Sequence, residues 1–149
     1  MNTKHLGEFR VQSVRRTDWP MANTPAAVAR YWREHVQTAP WYDEDKECLV
    51  GITLSTRTRI TGHYLIGLGR LDRIDTHARE VFRPAIVAAA HRIILAHNHP
   101  SGDPTPSQGD ICATRHMESQ GRMLDVLIED HVIIGVGGFA SLRDLKYMP

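Results

Sequence analysis

The chain is predicted to fold as an α/β domain in which a mixed β-sheet is flanked by helices. Apolar runs of strand length alternate along the sequence with longer segments that show helical spacing. Clusters of turn-forming residues separate these segments, and 149 residues are enough for one continuous hydrophobic core. A hydrophobic content of 42% and a charged content of 23% are typical of globular proteins and argue against disorder.

The N-terminal third is predicted to contain a short strand at 8–14, a helix and a loop. Thr24 or Asn23 caps the helix, which has Pro25 at its first position and runs to about Val36. Its apolar side chains follow helical spacing and predict a core-facing stripe made of Ala27, Val28, Tyr31, Trp32 and Val36.

The polar segment 38–46 is predicted to be a loop. It gives the expected boundary between an N-terminal extension, 1–43, and the main domain, 44–149. Trp41 and Tyr42 in this loop are expected to cover the core, and the alternative is that they shape a substrate groove.

The middle of the chain predicts two strands, 48–54 and 60–68, joined by a turn at 55–59. A helix from about 77 to 90 leads to a buried strand that begins at Arg92. Pro84 removes a backbone hydrogen bond inside this helix, so we expect either a kink or a helix that begins at Phe82.

The C-terminal third predicts a helix capped by Ser107 and running to Gly121. A strand pair, 123–128 and 131–136, follows this helix. Ser141 is predicted to open a last short helix, because Asp144 stands three residues further on in a capping-box pattern.

The strand that begins at Arg92 ends in His97 and His99, which extended chain places on one face. A turn rich in proline and glycine follows, and Asp110 then falls in the first turn of the next helix, where the helix dipole favours a carboxylate. Two imidazoles and a carboxylate are the ligands of a hydrolytic zinc site. A plain capping box between Ser107 and Asp110 is the alternative, but it leaves the two histidines unexplained.

His97, His99, Ser107 and Asp110 form the pattern His-x-His, seven residues, Ser-x-x-Asp, which resembles the signature of the JAMM metalloproteases, also called MPN-plus or JAB. The segment His-Asn-His-Pro-Ser-Gly-Asp-Pro-Thr-Pro-Ser resembles the corresponding segment of the RadC branch of this family. The stretches 79–82 and 130–135 resemble that branch as well. The resemblance covers roughly residue 45 to the C-terminus. It implies a cytidine-deaminase-like layout and one zinc ion on the two histidines and the aspartate.

The resemblance also implies a glutamate from an early strand that polarises the water activated by the metal. Glu47, fifty positions before His97 and at the mouth of a strand, is the best match. It would take the proton of that water and pass it to the departing nitrogen, while Ser107 and the metal stabilise the oxyanion. Asp43, Glu44 and Asp45 crowd the same segment as rivals, and Glu80, expected on a helix, is the second candidate.

Several neighbouring residues are given supporting or structural roles. Asn98 is expected to point to the face opposite the histidines and to brace the loop. His131 is a candidate for contacting a side chain that binds the metal, without binding the metal itself. The other histidines are expected to be surface or core residues. Cys48 and Cys112 have no pairing motif and are expected to be reduced thiols, as in a cytoplasmic protein.

The resemblance implies a peptide or protein-conjugate substrate, and nucleic acid is a possible partner that the charge does not support. The net charge is +1 and no basic run reaches five residues, so nucleic-acid binding is not favoured. The nearest basic feature is a scatter of arginines: Arg57, Arg59, Arg70, Arg73, Arg79, Arg83 and Arg92. No apolar run approaches about 18 residues and no apolar segment follows 1–5, so neither a membrane span nor a signal peptide is expected.

The sequence therefore predicts a zinc-dependent hydrolase that cleaves a peptide or isopeptide amide bond. Two other classes stay open at this point. One is a DNA-repair-associated or metal-dependent DNA-processing factor, a label that RadC relatives carry. The other is a metal-stabilised interaction module without turnover. Neither the oligomeric state nor the identity of the substrate follows from the sequence.

Overall fold

Helices cover both faces of a mixed six-stranded sheet in the computed structural model, which describes residues 11–13, 19–69 and 76–149. The strands are β1 (Gln12–Ser13), β2 (Cys48–Leu54), β3 (Ile60–Leu68), β4 (Arg92–Asn98), β5 (Leu127–Ile134) and β6 (Phe139–Ser141). The helices are α1 (Pro25–Tyr31), which continues as a π-helical turn (Trp32–Val36), α2 (Ala78–Val87) and α3 (Gln108–Met123). The strand order is β1-β3-β2-β4-β5-β6. Only β4 and β5 pair in parallel among these strands, so the predicted α/β class with a mixed sheet is confirmed.

The alternation of side chains along the central strands builds two separate cores. Even-numbered side chains of β4, such as Ile94, pack in a cluster with Trp32 and the rest of the α1 face. Odd-numbered side chains, such as Leu95, pack in a second cluster with Phe82 of α2 and Ile111 of α3. Because helices cover both faces of the sheet, the sequences of the central strands are continuous apolar runs rather than an alternation of apolar and polar residues.

The N-terminal half follows the prediction closely. The Thr24 hydroxyl accepts a hydrogen bond from the Ala27 amide, and Pro25 is the first residue of α1. Residues 38–46 form turns, and β2 and β3 have the predicted bounds. Strand β1 lies within the predicted strand at 8–14. Residues 8–10 and 14 of that prediction lie outside the described residues. The boundary between residues 43 and 44 stays a prediction.

Helix α2 begins at Ala78, which agrees with the predicted start at about residue 77. It keeps Pro84 inside the helix, so the alternative start at Phe82 is wrong. Its apolar face, with Phe82 and Ala85 in the second core, stabilises the helix despite the hydrogen bond that the proline removes. The helix ends at Val87, earlier than predicted, since Ala89 adopts a left-handed backbone conformation with φ of 52°.

The predicted strand pair at 123–128 and 131–136 is wrong, because a single strand, β5, occupies most of this stretch and Met123 ends α3. Glu129 and Asp130 resemble a turn in sequence but lie within the strand. Ile93 pairs with Ile128 and Ile94 pairs with Asp130, so Glu129 is an extra residue that forms a β-bulge. The carboxylate of Glu129 makes ion pairs with two arginines, Arg92 and Arg143.

The predicted last helix is also absent, because Ser141 ends β6 and turns follow at 142–146. The capping contact itself forms: the Ser141 hydroxyl accepts from the Asp144 amide at 3.0 Å. Lys146 has φ of 62°, which stops the turn from continuing as a helix. In the part of the chain that is described, every helix is too short or too polar to cross a membrane.

The buried His63 on β3 makes stability depend on pH. Its Nδ1 lies 2.7 Å from the Tyr31 hydroxyl, and burial lowers the pKa of His63 from 6.5 to about 4. Protonation therefore favours the unfolded chain, so stability is full above about pH 6.5 and falls as the pH drops towards 4. We expect the titration of His63 alone to lower the free energy of unfolding by about 2 kcal/mol when the pH falls from 7 to 5, as measured by urea unfolding.

His63→Gln provides the control, because glutamine offers the Tyr31 hydroxyl a partner but does not titrate. Its stability should fall less between pH 7 and pH 5 than that of the unmodified chain. Parallel pH profiles for the two proteins would contradict this assignment.

Candidate metal centre

Strand β4 brings the two histidines of the His-x-His pattern to one face of the sheet. His97 is the sixth residue of β4 and His99 follows its end, so both share the face of Ile93 and Leu95. His97 is buried and His99 is partly exposed. Their Nε2 atoms are 3.0 Å apart.

Helix α3 brings Asp110 to the same place through its N-terminal cap. The Ser107 hydroxyl accepts from the Asp110 amide at 3.0 Å, and the Ser107 amide donates to Asp110 Oδ2 at 2.8 Å. The Asp110 carboxylate also lies 3.3 Å from His97 Nε2, through Oδ1, and 3.2 Å from His99 Nε2, through Oδ2. The capping box is therefore present, and the same carboxylate faces the two imidazoles.

These three side chains have the geometry of a metal site. Ligand atoms from His97, His99 and Asp110 all lie within 4.8 Å of one another. Bonds of about 2.0–2.1 Å from zinc to nitrogen or oxygen separate tetrahedral ligands by about 3.3 Å. The two Nε2 atoms are 3.0 Å apart, and each lies 3.2–3.3 Å from one of the two oxygens of the Asp110 carboxylate, so the donor set fits a metal ion.

The proline-rich return between β4 and α3 sets the tautomer of His99. Its Nδ1 lies 2.8 Å from the backbone carbonyl oxygen of Asp103, which can only accept, so Nδ1 carries the proton. The Asp103 side chain holds this turn by accepting from the amide and hydroxyl of Thr105. A neutral His99 ring therefore carries its lone pair on Nε2, whereas a protonated ring donates from Nε2 to Asp110.

The two imidazoles beside Asp110 stabilise the ionised form of its carboxylate. Burial raises the pKa of Asp110, but hydrogen bonds from His97 and His99 outweigh it and hold the pKa of Asp110 far below its ordinary value. The hydrogen bond with Asp110 raises the pKa of His99, with a further contribution from the charge of Glu47. The carboxylate thus stays ionised at neutral pH, which is the form that binds cations.

Glu47 stands directly before β2, and the sheet register carries it towards the histidines. Leu49 pairs with His97 at the end of the antiparallel ladder between β2 and β4, and Glu47 lies two residues before Leu49, so alternation directs the two side chains to the same face. Of the rival acids, Asp43 pairs with Lys46 at 3.1 Å and Glu80 lies on α2 beside Arg79. Glu44 and Asp45 line a cleft together with His99 and stay rivals.

Asn98 holds the backbone on both sides of Glu47. Its Oδ1 accepts from the Cys48 amide at 2.8 Å, and its Nδ2 donates to the Lys46 carbonyl at 2.9 Å. Since Asn98 alternates with the histidines, its side chain points to the opposite face, as the sequence predicted. The side chain braces the segment that bears Glu47 rather than the proline-rich loop.

Replacing Asn98 by alanine should loosen this segment. The buried Cys48 amide would lose its partner, which costs about 1–3 kcal/mol of unfolding free energy, measured in urea. Amide hydrogen exchange should speed up at Cys48 and stay slow at Ile52 in the middle of β2, which serves as the internal control. Unchanged exchange at Cys48 would contradict this role for Asn98.

His131 on β5 lies behind His97. Its Nε2 is 2.7 Å from His97 Nδ1, and its Nδ1 is 2.6 Å from the Thr114 hydroxyl. Thr114 in turn donates to the Asp110 backbone carbonyl at 2.6 Å. Burial lowers the pKa of His131 well below its ordinary value, which keeps the ring neutral. The sequence singled out His131 but not Thr114, whose one signal is its position four residues after Asp110 on α3.

A cleft of about 350 Å³ borders the cluster on the side of His99. Trp32 and Tyr42 line it together with the backbone that follows β5, and their rings meet edge to face with centroids 6.1 Å apart. Trp41 and Tyr42 are partly buried against the first core, which is the role expected of them. Tyr42 thus covers the core and also lines the cleft, and its role in a substrate groove stays a prediction.

The structure brings His97, His99 and Asp110 together, with Ser107 in the adjoining helix cap and Glu47 directly before β2. Their roles in binding and catalysis stay predictions. Both cysteines are free thiols; Cys48 is buried in the first core and Cys112 is exposed on α3. Neither belongs to the cluster of ligand atoms.

The family model and the similar proteins point to the same family. The model of the RadC-like JAB domain family matches residues 22–147. A UPF0758 protein of Moorella thermoacetica is 45% identical over 100 residues, which cover 67% of this chain and 44% of that protein. A UPF0758 protein of Desulfitobacterium hafniense is 38% identical over 125 residues, covering 84% of this chain and 53% of the relative. The chain spans about half the length of the curated relatives it matches.

Proposed function

The chain belongs to the RadC-like JAB domain family, and we propose that it acts as a JAMM-type zinc-dependent hydrolase that cleaves a peptide or isopeptide bond. The observation that carries this proposal is the convergence of His97 Nε2, His99 Nε2 and the Asp110 carboxylate within 3.0–3.3 Å of one another. Three protein ligands beside an open cleft are typical of a catalytic rather than a structural zinc site, which is closed by four.

His97, His99 and Asp110 would hold the metal. When bound there, zinc would lower the pKa of a coordinated water to about 7 and polarise a carbonyl group. The neutral imidazoles and the ionised carboxylate give a ligand set of charge −1, which suits a divalent cation. The Asp103 carbonyl fixes the His99 ring in the orientation that this requires.

We assign two further side chains to the proposed amide hydrolysis. Glu47, directly before β2, would take the proton of the attacking water and deliver it to the leaving nitrogen. The Ser107 oxygen accepts from the Asp110 amide, so its own hydrogen can donate to the oxyanion that forms from the carbonyl. The cleft between Trp32 and Val136 would receive the chain on one side of the scissile bond.

We propose a peptide or a protein conjugate as substrate, because an amide carbonyl is the group that a water-activating metal and two donors can attack. A volume of about 350 Å³ accommodates a few residues of extended chain rather than a folded domain. Two free thiols agree with a reducing compartment, and we propose the cytoplasm.

A panel of peptides and isopeptides tests the proposed activity. The chain is loaded with zinc, its metal content is measured by mass spectrometry, and cleavage is followed with zinc, with chelator and after zinc is restored. We expect one zinc ion per chain and cleavage of at least one class of bond that follows the metal content. Stoichiometric zinc without cleavage would favour an interaction module, and salt-dependent binding to DNA would favour a DNA-processing role.

A further inference from the structure

We propose that His131 is a positioning residue that fixes the tautomer of His97, through a hydrogen-bonded relay that ends on the backbone of Asp110. The relay joins His97 of β4, His131 of β5 and Thr114 of α3. It connects two of the three proposed ligands although they lie on different elements. This inference rests on the proposed metal-binding role of His97 and Asp110.

The direction of each hydrogen bond follows from the fixed end of the relay. The Asp110 carbonyl oxygen can only accept, so the Thr114 hydroxyl donates its one hydrogen there. The Thr114 oxygen must then accept from His131 Nδ1, which therefore carries a proton. Burial favours a neutral ring, which leaves His131 Nε2 as an acceptor.

His131 Nε2 then accepts from His97 Nδ1 at 2.7 Å. With its proton on Nδ1, His97 turns the lone pair of Nε2 towards His99 and Asp110, which is the state that a metal ligand needs. The Asp103 carbonyl does the same for His99, so both proposed imidazole ligands are held by their Nδ1 atoms. Partners of this kind orient a ligating histidine and raise its affinity for the metal.

The β-bulge at Glu129 puts His131 in this position. Before the bulge Ile93 pairs with Ile128, and after it Leu95 pairs with His131. If Glu129 were itself paired, with Ile94, and the ladder had no bulge, His131 would pair with Ala96 and its side chain would point to the opposite face of the sheet. The bulge therefore aims His131 at the face that carries His97.

Nuclear magnetic resonance of nitrogen-15-labelled chain tests the relay directly. Long-range proton–nitrogen spectra of the zinc-loaded chain should find His131 and His97 as Nδ1-protonated tautomers. An Nε2-protonated His131 would reverse the relay and overturn the proposal.

Variants at Thr114 test its effect on binding. Thr114→Val keeps the shape of the side chain but removes the hydroxyl, whereas Thr114→Ser keeps the hydroxyl. Zinc affinity is measured by competition with a chelator, and the stability of the metal-free proteins by urea unfolding. We expect Thr114→Val to weaken zinc binding by about 10-fold, with a smaller population of the Nδ1-protonated His97, and Thr114→Ser to restore both.

His131→Phe should weaken zinc binding by about 10- to 100-fold, since His97 loses its acceptor. His116→Phe, at an exposed histidine of α3, is the control and should leave zinc affinity unchanged. If His131→Phe does not fold, the comparison of Thr114→Val with Thr114→Ser decides. Unmodified chain that takes up no zinc would refute the proposed metal site, whereas variants that bind zinc as tightly as unmodified chain would refute the relay alone.

Discussion

Replacing Asp110 by asparagine is expected to abolish stoichiometric zinc binding while the chain still folds. Asparagine keeps an oxygen that can accept from the Ser107 amide, but it carries no charge and is a poor zinc ligand. The remaining histidines offer two ligands, so affinity should fall by more than about 100-fold, beyond the loss typical of outer partners. Zinc content after dialysis, and affinity by chelator competition, measure the effect.

Asp110→Ala separates the two tasks of this side chain. It should lose zinc as Asp110→Asn does and should also lose about 1 kcal/mol of stability, because the helix cap is removed. Asp144→Asn, at an exposed acid in the last turn, is the matched control and should bind zinc normally. One zinc ion per chain, bound with unchanged affinity by Asp110→Asn, would rule out the proposed ligand set.

Replacing Glu47 by glutamine should separate catalysis from binding. Zinc content is expected to stay at the level of the unmodified chain, because Glu47 is outside the three-residue cluster. The rate of cleavage should fall by about 10²- to 10⁴-fold, the usual contribution of a general base. The measurement is kcat/KM on the peptide or isopeptide that the unmodified chain cleaves, with zinc content determined on the same samples.

Glu44→Gln, three residues away and bordering the same cleft, provides the control and should keep most of the activity. A full rate for Glu47→Gln would remove Glu47 from the mechanism. The same assay on Glu80→Gln would then test the second acid that the sequence offered.

Local patterns were sufficient to predict the candidate site. Alternation along a strand predicts that His97 and His99 share a face, and a helix cap predicts that Asp110 lies in a first turn. Neither pattern says which strand lies beside β4. The parallel pairing with β5, which brings His131 to His97, is a long-range contact that no local signal contains.

The errors in the C-terminal third have the same origin. Two adjacent acids, Glu129 and Asp130, are typical of a turn when only their neighbours in sequence are considered. Their partners are distant: Arg92 and Arg143 contact Glu129, and the Ser141 hydroxyl donates to Asp130 at 2.7 Å. Tertiary ion pairs and hydrogen bonds thus keep in a strand two residues that local preference would place in a loop.

The extra residue in β5 is a point at which this sequence can change during evolution. Substitution at Glu129 alters an ion pair, and its deletion would give a regular ladder in which Ile128, Asp130 and His131 keep their partners Ile93, Ile94 and Leu95. Related proteins that keep the proposed chemistry can therefore lack the bulge, but they should keep the residue equivalent to His131 in register with the one equivalent to Leu95. Length variation near the site is then expected in the glycine-rich connection at 135–138, where a gained or lost residue leaves the facing of β5 unaltered.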